Sequence, residues 1–508
     1  MGNRNVARWT VAVAAAVGAF WPAAASAEWL RAETDRFIVY GQGKDVRVRN
    51  LAMRLSVFDA VLRLTHPTAP KVQPRKLEVY MIDSQRDLRR VAPSKDANTV
   101  GFYSAGANAT FAVAYDGAIG IDGDEVLFHE YAHAFMLENF PAAYPGWFIE
   151  GWAEYFMTTK VTASAAEVGR PNPGRAYEVS QSGRLPWEVV LSQAPGDLSE
   201  DVRSAYYSQA WLLMHYMRSD PERSAQLAKI TIAIADGQDP VKAMEVGTGL
   251  SIVELGTRLR NYRRLISFTV KDPLPNAPEI KVSRLGPSAD AFLLDSLRLS
   301  NDRGVGAEAD SALLADLRTR APQWPGDRLA ELTLARAEFA FGDVAAGEAI
   351  VKRRLEADPK DTETLLVAGQ GQLTAGERDP DHYEARFKAA RPNLVKAYGQ
   401  DQDDYRILLA YLRSRTVDPA YPNDNDLNAL LTVRSLAPTV DAAAIMLGDA
   451  LLRRDRKAEA IAVLSIVANN PHGGGAAAIA RSLISGQPAS PLDAASAALD
   501  QQPKPEAR

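Results

Sequence analysis

The sequence predicts an α+β domain followed by an all-α domain of helical repeats, and three observations predict it. Residues 28–121 alternate short β-branched and aromatic runs with stretches whose apolar residues recur at helical spacing. Residues 271–287, KDPLPNAPEIKVSRLGP, carry four prolines and read as a linker. Beyond them the pattern is helical throughout, and prolines recur about one helix pair apart: Pro325, Pro359 and Pro392, then Pro438 and Pro471.

The first 27 residues read as a targeting segment. Arg4 and Arg8 form a basic start, Trp9 to Phe20 an Ala/Val-rich apolar run, and Ala25-Ser26-Ala27 a small-residue cleavage site, with the mature chain expected from Glu28. The apolar run is short for a membrane span, and no later stretch reaches spanning length, so no stable span is expected after cleavage. A periplasmic or secreted location follows. The chain has no Cys, so an exported form takes its stability from packing and metal rather than from disulfides. The formal charge of −5 becomes more negative once Arg4 and Arg8 are removed, which argues against nucleic acid or an anionic membrane as partner.

From Glu28 the elements follow in order. Phe37-Ile38-Val39-Tyr40 reads as a strand ended by Gly41-Gln42-Gly43. Val46 to Leu64 reads as a helix, with Val48, Leu51, Leu55, Phe58 and Leu62 on one face and His66-Pro67 as its stop. Leu77 to Ile82 is a second strand, Ser84 to Asp87 starts a short helix, and Gly101 to Tyr103 and Thr110 to Ala114 are two short strands.

The chemistry concentrates in residues 125–156, EVLFHEYAHAFMLENFPAAYPGWFIEGWAEYF. His129-Glu130-Tyr131-Ala132-His133 fits H-E-x-x-H. In a helix the two histidines stand one turn apart on one face and can fill two corners of a tetrahedral zinc site, with Glu130 placed as general base toward a metal-bound water. A second helix after Pro145-Gly146 carries Glu150, an oxygen ligand placed to return to the metal, and Glu154 one turn on. Glu154 can accept the free ring N–H of a ligating histidine. The longer pattern H-E-x-x-H-x-x-G-x-x-H would need Gly at 136 and His at 139. These are Met136 and Asn139, so the expected set is His, His, Glu and water.

HEYAH followed by WFIEGWAEYF resembles the gluzincin metallopeptidases, more closely their bacterial peptidase MA-like branch than the aminopeptidase N-like branch. The resemblance covers roughly residues 28–270. It implies a zincin-like catalytic domain, with Glu150, the first Glu of the E-G-x-A-E-Y block, as third zinc ligand. It implies that an edge strand ahead of the zinc helix pairs with extended substrate, for which Phe111 to Ala114 is the candidate, a simple core hairpin being the alternative. Tyr207, Gln209 and Trp211 match a Tyr-x-Gln-x-Trp-like block of the family, so the Tyr207 phenol is a candidate oxyanion donor, with Tyr206 able to exchange with it. The Gly-x-Met-Glu-Asn block of aminopeptidase N-like enzymes is missing from residues 95–124, whose acids are Asp96, Asp116, Asp122 and Asp124. Endopeptidase is therefore favoured over aminopeptidase.

Past the motif, Thr158 to Pro173 reads as irregular, Leu185-Pro186-Trp187 opens a new segment, and an apolar helix runs from Ser204 through Met217. His215 on that helix reads as a buried polar residue. Residues 288–484, with helix pairs such as Leu329–Phe341 and Val344–Leu355 and recurrent alanines, resemble degenerate tetratricopeptide repeats, a surface suited to a protein partner. The Ala/Pro/Ser/Gln-rich residues 485–508 read as a disordered tail.

The expected function is an exported zinc peptidase that uses His129, His133 and Glu150 as ligands, Glu130 as base, Glu154 behind a ligating histidine and Tyr207 at the oxyanion. Its partner is then a peptide or protein substrate. The alternative is a helical-repeat scaffold whose zincin-like domain is inactive or holds structural zinc. A weaker third reading is hydrolysis of a non-peptide amide or ester at the same site.

Overall fold

A computed structural model describes residues 28–486 except 67–74, 94–98, 116–122, 163, 182–183, 275, 278 and 302–305. The expected targeting segment, Asp96, Asp116, Asp122 and nearly all of the expected tail lie outside the described residues. The chain has an α+β part followed by consecutive helices, and no described helix is long and apolar enough to cross a membrane.

The strands are β1 (Trp29–Glu33), β2 (Phe37–Gln42), β3 (Leu77–Ile82), β4 (Gly101–Ala105), β5 (Thr110–Tyr115), β6 (Lys160–Val161), β7 (Ala165–Val168), β8 (Phe268–Lys271) and β9 (Lys281–Arg284). Six form one mixed sheet in the order β4-β5-β3-β2-β1-β9, with β2, β3 and β5 parallel and β4, β1 and β9 antiparallel to their neighbours. The period-two pattern sorts its side chains onto two faces. Val79 and Met81 of β3 and Ala112 and Ala114 of β5 join one core. Tyr80, Ile82, Phe111 and Val113, the residues between, join another.

The first face is covered by α1 (Asp45–Thr65). Helix α2 (Gln85–Val91), capped by Ser84, whose hydroxyl accepts from the Asp87 amide, lies on the second face. Helices α3 (Gly123–Asn139) and α4 (Gly146–Met157) follow, and α3 joins α1 on the first face. Tyr131, in the middle of the HEYAH run, fixes α3 to α1: its hydroxyl donates to Asp59 at 2.7 Å, and Asp59 is also gripped by Arg36 and Arg63 at 2.9 Å. Every residue of α4 is buried.

Next come α5 (Pro173–Gln181), α6 (Trp187–Ser192), α7 (Glu200–Arg218), α8 (Pro221–Ala235), α9 (Pro240–Thr248) and α10 (Ile252–Asn261). Gly151 of α4 packs on the backbone of α7, where a Cβ at 151 would stand 2.6 Å from the Ala210 carbonyl oxygen. His215 of α7 is buried, its Nδ1 3.1 Å from the Tyr262 hydroxyl and its Nε2 3.0 Å from the Gly169 carbonyl oxygen, which matches its reading as a structural polar residue.

The second part comprises α11 (Ser288–Asn301), α12 (Ala307–Arg320), α13 (Arg328–Phe341), α14 (Val344–Ala357), α15 (Thr362–Arg378), α16 (Tyr383–Tyr398), α17 (Tyr405–Arg415), α18 (Asp424–Leu436), α19 (Asp441–Arg453), α20 (Lys457–Ala468) and α21 (Gly474–Ile484). Side chains of Asp327, Asp343, Asp361, Asp404 and Asn423 each cap a helix start, which is how short helices in series are punctuated.

Five details differ from the sequence reading. Phe111 to Ala114 is not an edge: β5 lies between β3 and β4, and the antiparallel strand β4 is the edge. Thr158 to Pro173 contains the β6–β7 hairpin, which β8 extends into a three-stranded sheet. The proline-rich stretch 271–287 contains β9, which pairs with β1 as the outer strand of the main sheet. Pro392 lies inside α16 rather than at a helix boundary, so the phase of Pro325 and Pro359 ends there. The boundary expected at 288 runs through a shared core: Ala289, Leu294 and Leu297 of α11 pack with Trp29, Phe102, Phe111 and Val113, and Arg90 of α2 clamps Asp295 at 2.6 Å.

A second shared core joins the β4–β5 turn to the helices. Ala105 and Ala107 pack with Tyr405, Leu408 and Leu409, and the Tyr405 hydroxyl donates to the Gly106 carbonyl oxygen at 2.8 Å. Tyr103 of β4 meets Thr439 at 3.0 Å. The helices thus cover the end of the sheet nearest the histidine helix.

Candidate metal centre

Helices α3 and α4 bring three of the sequence-predicted groups together. His129 and His133 project from one face of α3 with their Nε2 atoms 3.0 Å apart. The Glu150 Oε2 comes from α4 to 3.7 Å from the first and 3.5 Å from the second. Donors held ~2.0–2.1 Å from a tetrahedral centre stand roughly 3.3 Å from one another. The three separations bracket that value.

A fourth donor was not anticipated. His472, in the turn between α20 and α21, places its Nε2 2.9 Å from Glu150 Oε1, with its ring centroid 4.9 Å from that of His133. One donor atom from each of His129, His133, Glu150 and His472 lies within 4.8 Å of every other. The structure thus adds a third imidazole beside the expected His129, His133 and Glu150. The search for a third histidine along the motif could not find it, because it comes from a helix joint more than three hundred residues away. Its only sequence signals are that histidine occurs six times in the chain and that this one follows Pro471.

The chemistry of the group fits a cation. Glu150 is fully buried, and neither of its oxygens accepts a hydrogen bond of good geometry. Burial alone would push its carboxyl up; the imidazoles of His472 and His133 outweigh burial and hold it well below the usual range. A buried carboxylate facing imidazole nitrogens, with no ammonium or guanidinium pairing it among the described residues, is a costly arrangement that a bound metal ion relieves. His129 is pushed down to about 3, by burial first and then by the neighbouring His133. At neutral pH the ring is uncharged, with one nitrogen lone pair open to a metal. The buried His129–His133–Glu150–His472 group can thus hold a metal ion.

Behind it stands Glu154. Its Oε1 lies 3.9 Å from His129 Nδ1, so the carboxylate faces the back of that ring at a distance too long for a hydrogen bond. It is itself held by a fork the sequence reading did not single out: Arg175 of α5 donates to Oε1 at 2.6 Å and to Oε2 at 3.0 Å. Tyr207 is buried with its ring against the Arg175 guanidinium, 5.2 Å from centroid to Cζ, on this outer side of the centre. Tyr206 is the one that senses Glu150: burial and then that charge raise its phenol well above the ordinary value, and its hydroxyl donates to the Gln193 carbonyl oxygen at 2.9 Å. Gln209 accepts from the Leu185 amide and donates to its carbonyl, so it braces the segment before α6. Glu130 lies on α3 next to His129 and one turn before His133, and is half-buried where both histidines are buried.

No protein-family model matches the chain, and no curated protein matches it.

Proposed function

We propose that the protein is an exported zinc-dependent peptidase of the gluzincin type, resembling the peptidase MA-like branch. The observation that carries this reading is the convergence of His129, His133 and Glu150 with a half-buried Glu130 on the same helix as the two histidines. A purely structural site has no use for an acid at that position.

Zinc held by these side chains would supply Lewis acidity toward a scissile carbonyl and lower the pKa of an attacking water. Glu130 takes the proton from that water and passes it to the leaving amine. Glu154, fixed by Arg175, puts a negative charge behind the His129 ring, where a small closure on metal binding would let it accept the Nδ1 proton. The β4 edge is the strand on which an extended substrate would add, in place of the interior β5. Tyr207 stays a weaker candidate for the oxyanion, since its ring is engaged with Arg175.

Glu130→Gln tests the reading. The variant should bind zinc like the wild type and lose cleavage of a mixed peptide library, because the amide keeps the shape and cannot take the proton. Turnover near the wild-type rate would end the general-base assignment.

A second reading draws on His472. A metal with four protein donors has no open position, as in structural zinc sites, and the protein would then be a helical scaffold whose metal ties its two parts together.

A further inference from the structure

We propose that His472 is a metal ligand supplied by the helical part of the same chain, and that the α20–α21 turn is a latch that closes the zinc centre until it is displaced. This rests on the peptidase reading of the same site. Zinc peptidases work through an open coordination position. His472 brings its Nε2 to 2.9 Å from Glu150 Oε1, and one donor atom of each of the four residues lies within 4.8 Å of the others, so His472 can supply a fourth ligand beside His129, His133 and Glu150. Substrate and His472 therefore compete for one place.

The turn is shaped to hold that imidazole. The His472 amide donates to Asn470 Oδ1 at 3.0 Å, and Asn470 Nδ2 donates to Asp441 at 3.4 Å, so the backbone that presents the ring is fixed from α19. Asn469 reaches across to the Ala143 carbonyl oxygen at 3.2 Å, in the segment between α3 and α4.

The contact is also built to separate. Helices α20 and α21 pack through Leu464, Val467, Ala476, Ala480 and Leu483 onto Ala444 and Ile445 of α19, and none of these belongs to the core around the histidine helix, whereas the opposite side of α19, with Ala442, Ala443 and Leu447, shares the core of Ala105 and Ala107. Among the described contacts, the turn meets the first part through the Asn469 side chain and the His472 imidazole, with the Pro471 carbonyl oxygen near Gly196. The β4–β5 turn, by contrast, is buried in apolar contact with α17. A latch needs this division: a firm apolar attachment at one end and a metal-dependent, largely polar contact at the other. A partner or substrate protein that engages α19–α21 would shift the balance toward the open centre.

The full-length chain tests this with His472→Ala and, as a variant that leaves every metal donor in place, Asn469→Ala. Zinc affinity is read by chelator competition, ligand number by the visible spectrum of the cobalt-substituted protein, and latch closure by amide exchange of residues 469–473 with and without zinc. Cleavage of a mixed peptide library gives the activity. His472→Ala should weaken zinc by about 10-fold or more, on the scale set by loss of even a supporting contact to a ligand. It should change the cobalt spectrum, abolish zinc-dependent protection of the turn, and raise cleavage by roughly tenfold or more if the closed form dominates. Asn469→Ala should raise cleavage by a smaller factor and reduce the protection. Unchanged zinc affinity and cobalt spectrum in His472→Ala would overturn the ligand assignment, and wild-type activity equal to that of His472→Ala would overturn the latch while leaving the peptidase reading intact. Weakened zinc with no cleavage by zinc-loaded wild type or either variant would overturn both the latch and the peptidase reading, leaving His472 as a structural ligand.

Discussion

Glu154 shows how much of the centre depends on a single pair. It is completely buried, and its charge is answered by the Arg175 fork. Removing one partner of a buried pair leaves an uncompensated charge, which costs about 3–5 kcal/mol. Arg175→Ala should therefore lower stability by roughly that amount in urea denaturation, and it should weaken zinc binding because Glu154 loses its fixed position behind His129. Arg175→Lys keeps the charge and loses the two-pronged geometry, so it should fall between. Stability and metal affinity both unchanged in Arg175→Ala would mean Glu154 has another counter-charge. The carboxylate was legible in the sequence because it lies one helical turn from Glu150. Its guanidinium was not: Arg175 follows a Pro-Asn-Pro-Gly run that reads as irregular, and no spacing rule ties it to α4. His472 was illegible for the same reason on a larger scale. Ligands on one helix obey a period, while a ligand delivered by another part of the fold obeys only the tertiary structure.

The close approach of one element pair sets where Glu150 sits. Helix α4 approaches α7 closely because position 151 has no side chain. The obstacle to a Cβ there is a backbone carbonyl oxygen at 2.6 Å, which cannot swing aside as a flexible side chain can. Gly151→Ala must push the two helices apart, an overpacking penalty of ~1–3 kcal/mol, and it shifts the neighbouring Glu150 away from the histidines. A lowered melting temperature together with weaker zinc binding is expected. Loss of stability with zinc affinity intact would mean the strain is absorbed in α7 instead. The small residue of the E-G-x-A-E-Y block is thereby explained by helix packing. At this scale the sequence reading located β2 to β5 and the helices α1 to α4, α7, α13 and α14, since period and caps are local properties, and it named none of the other five described strands. It misjudged β5 as an edge because strand order is set by which strands pair, and nothing within Phe111 to Ala114 encodes that β4 lies outside it.

For the molecule as a whole, the proline-rich stretch marks a change of architecture but not a break in the core. Residues 271–287 look like a linker by composition, yet β9 within them completes the sheet, and α11 immediately after them seals its second face. Composition reports backbone restriction; it does not report what the next helix will bury. The consequence is a stability coupling between the two parts. Leu294 of α11 is 5% exposed and packs in the same core as Phe111 and Val113 of β5. Leu294→Ala should cost about 2–5 kcal/mol, as buried leucine truncations do. The loss should appear in the sheet as well as in the helix: amide exchange in β3 and β5 should accelerate together with that of α11 if they open as one unit. Faster exchange confined to residues 288–301, with β3 and β5 unchanged, would show that the sheet is stable without its helical cover and that the helical part is an independent module. Coupling of this kind holds the helical part against the sheet at α11 and, through α17 and α19, at the β4–β5 turn, so the movement proposed for His472 falls to the α20–α21 turn beyond them.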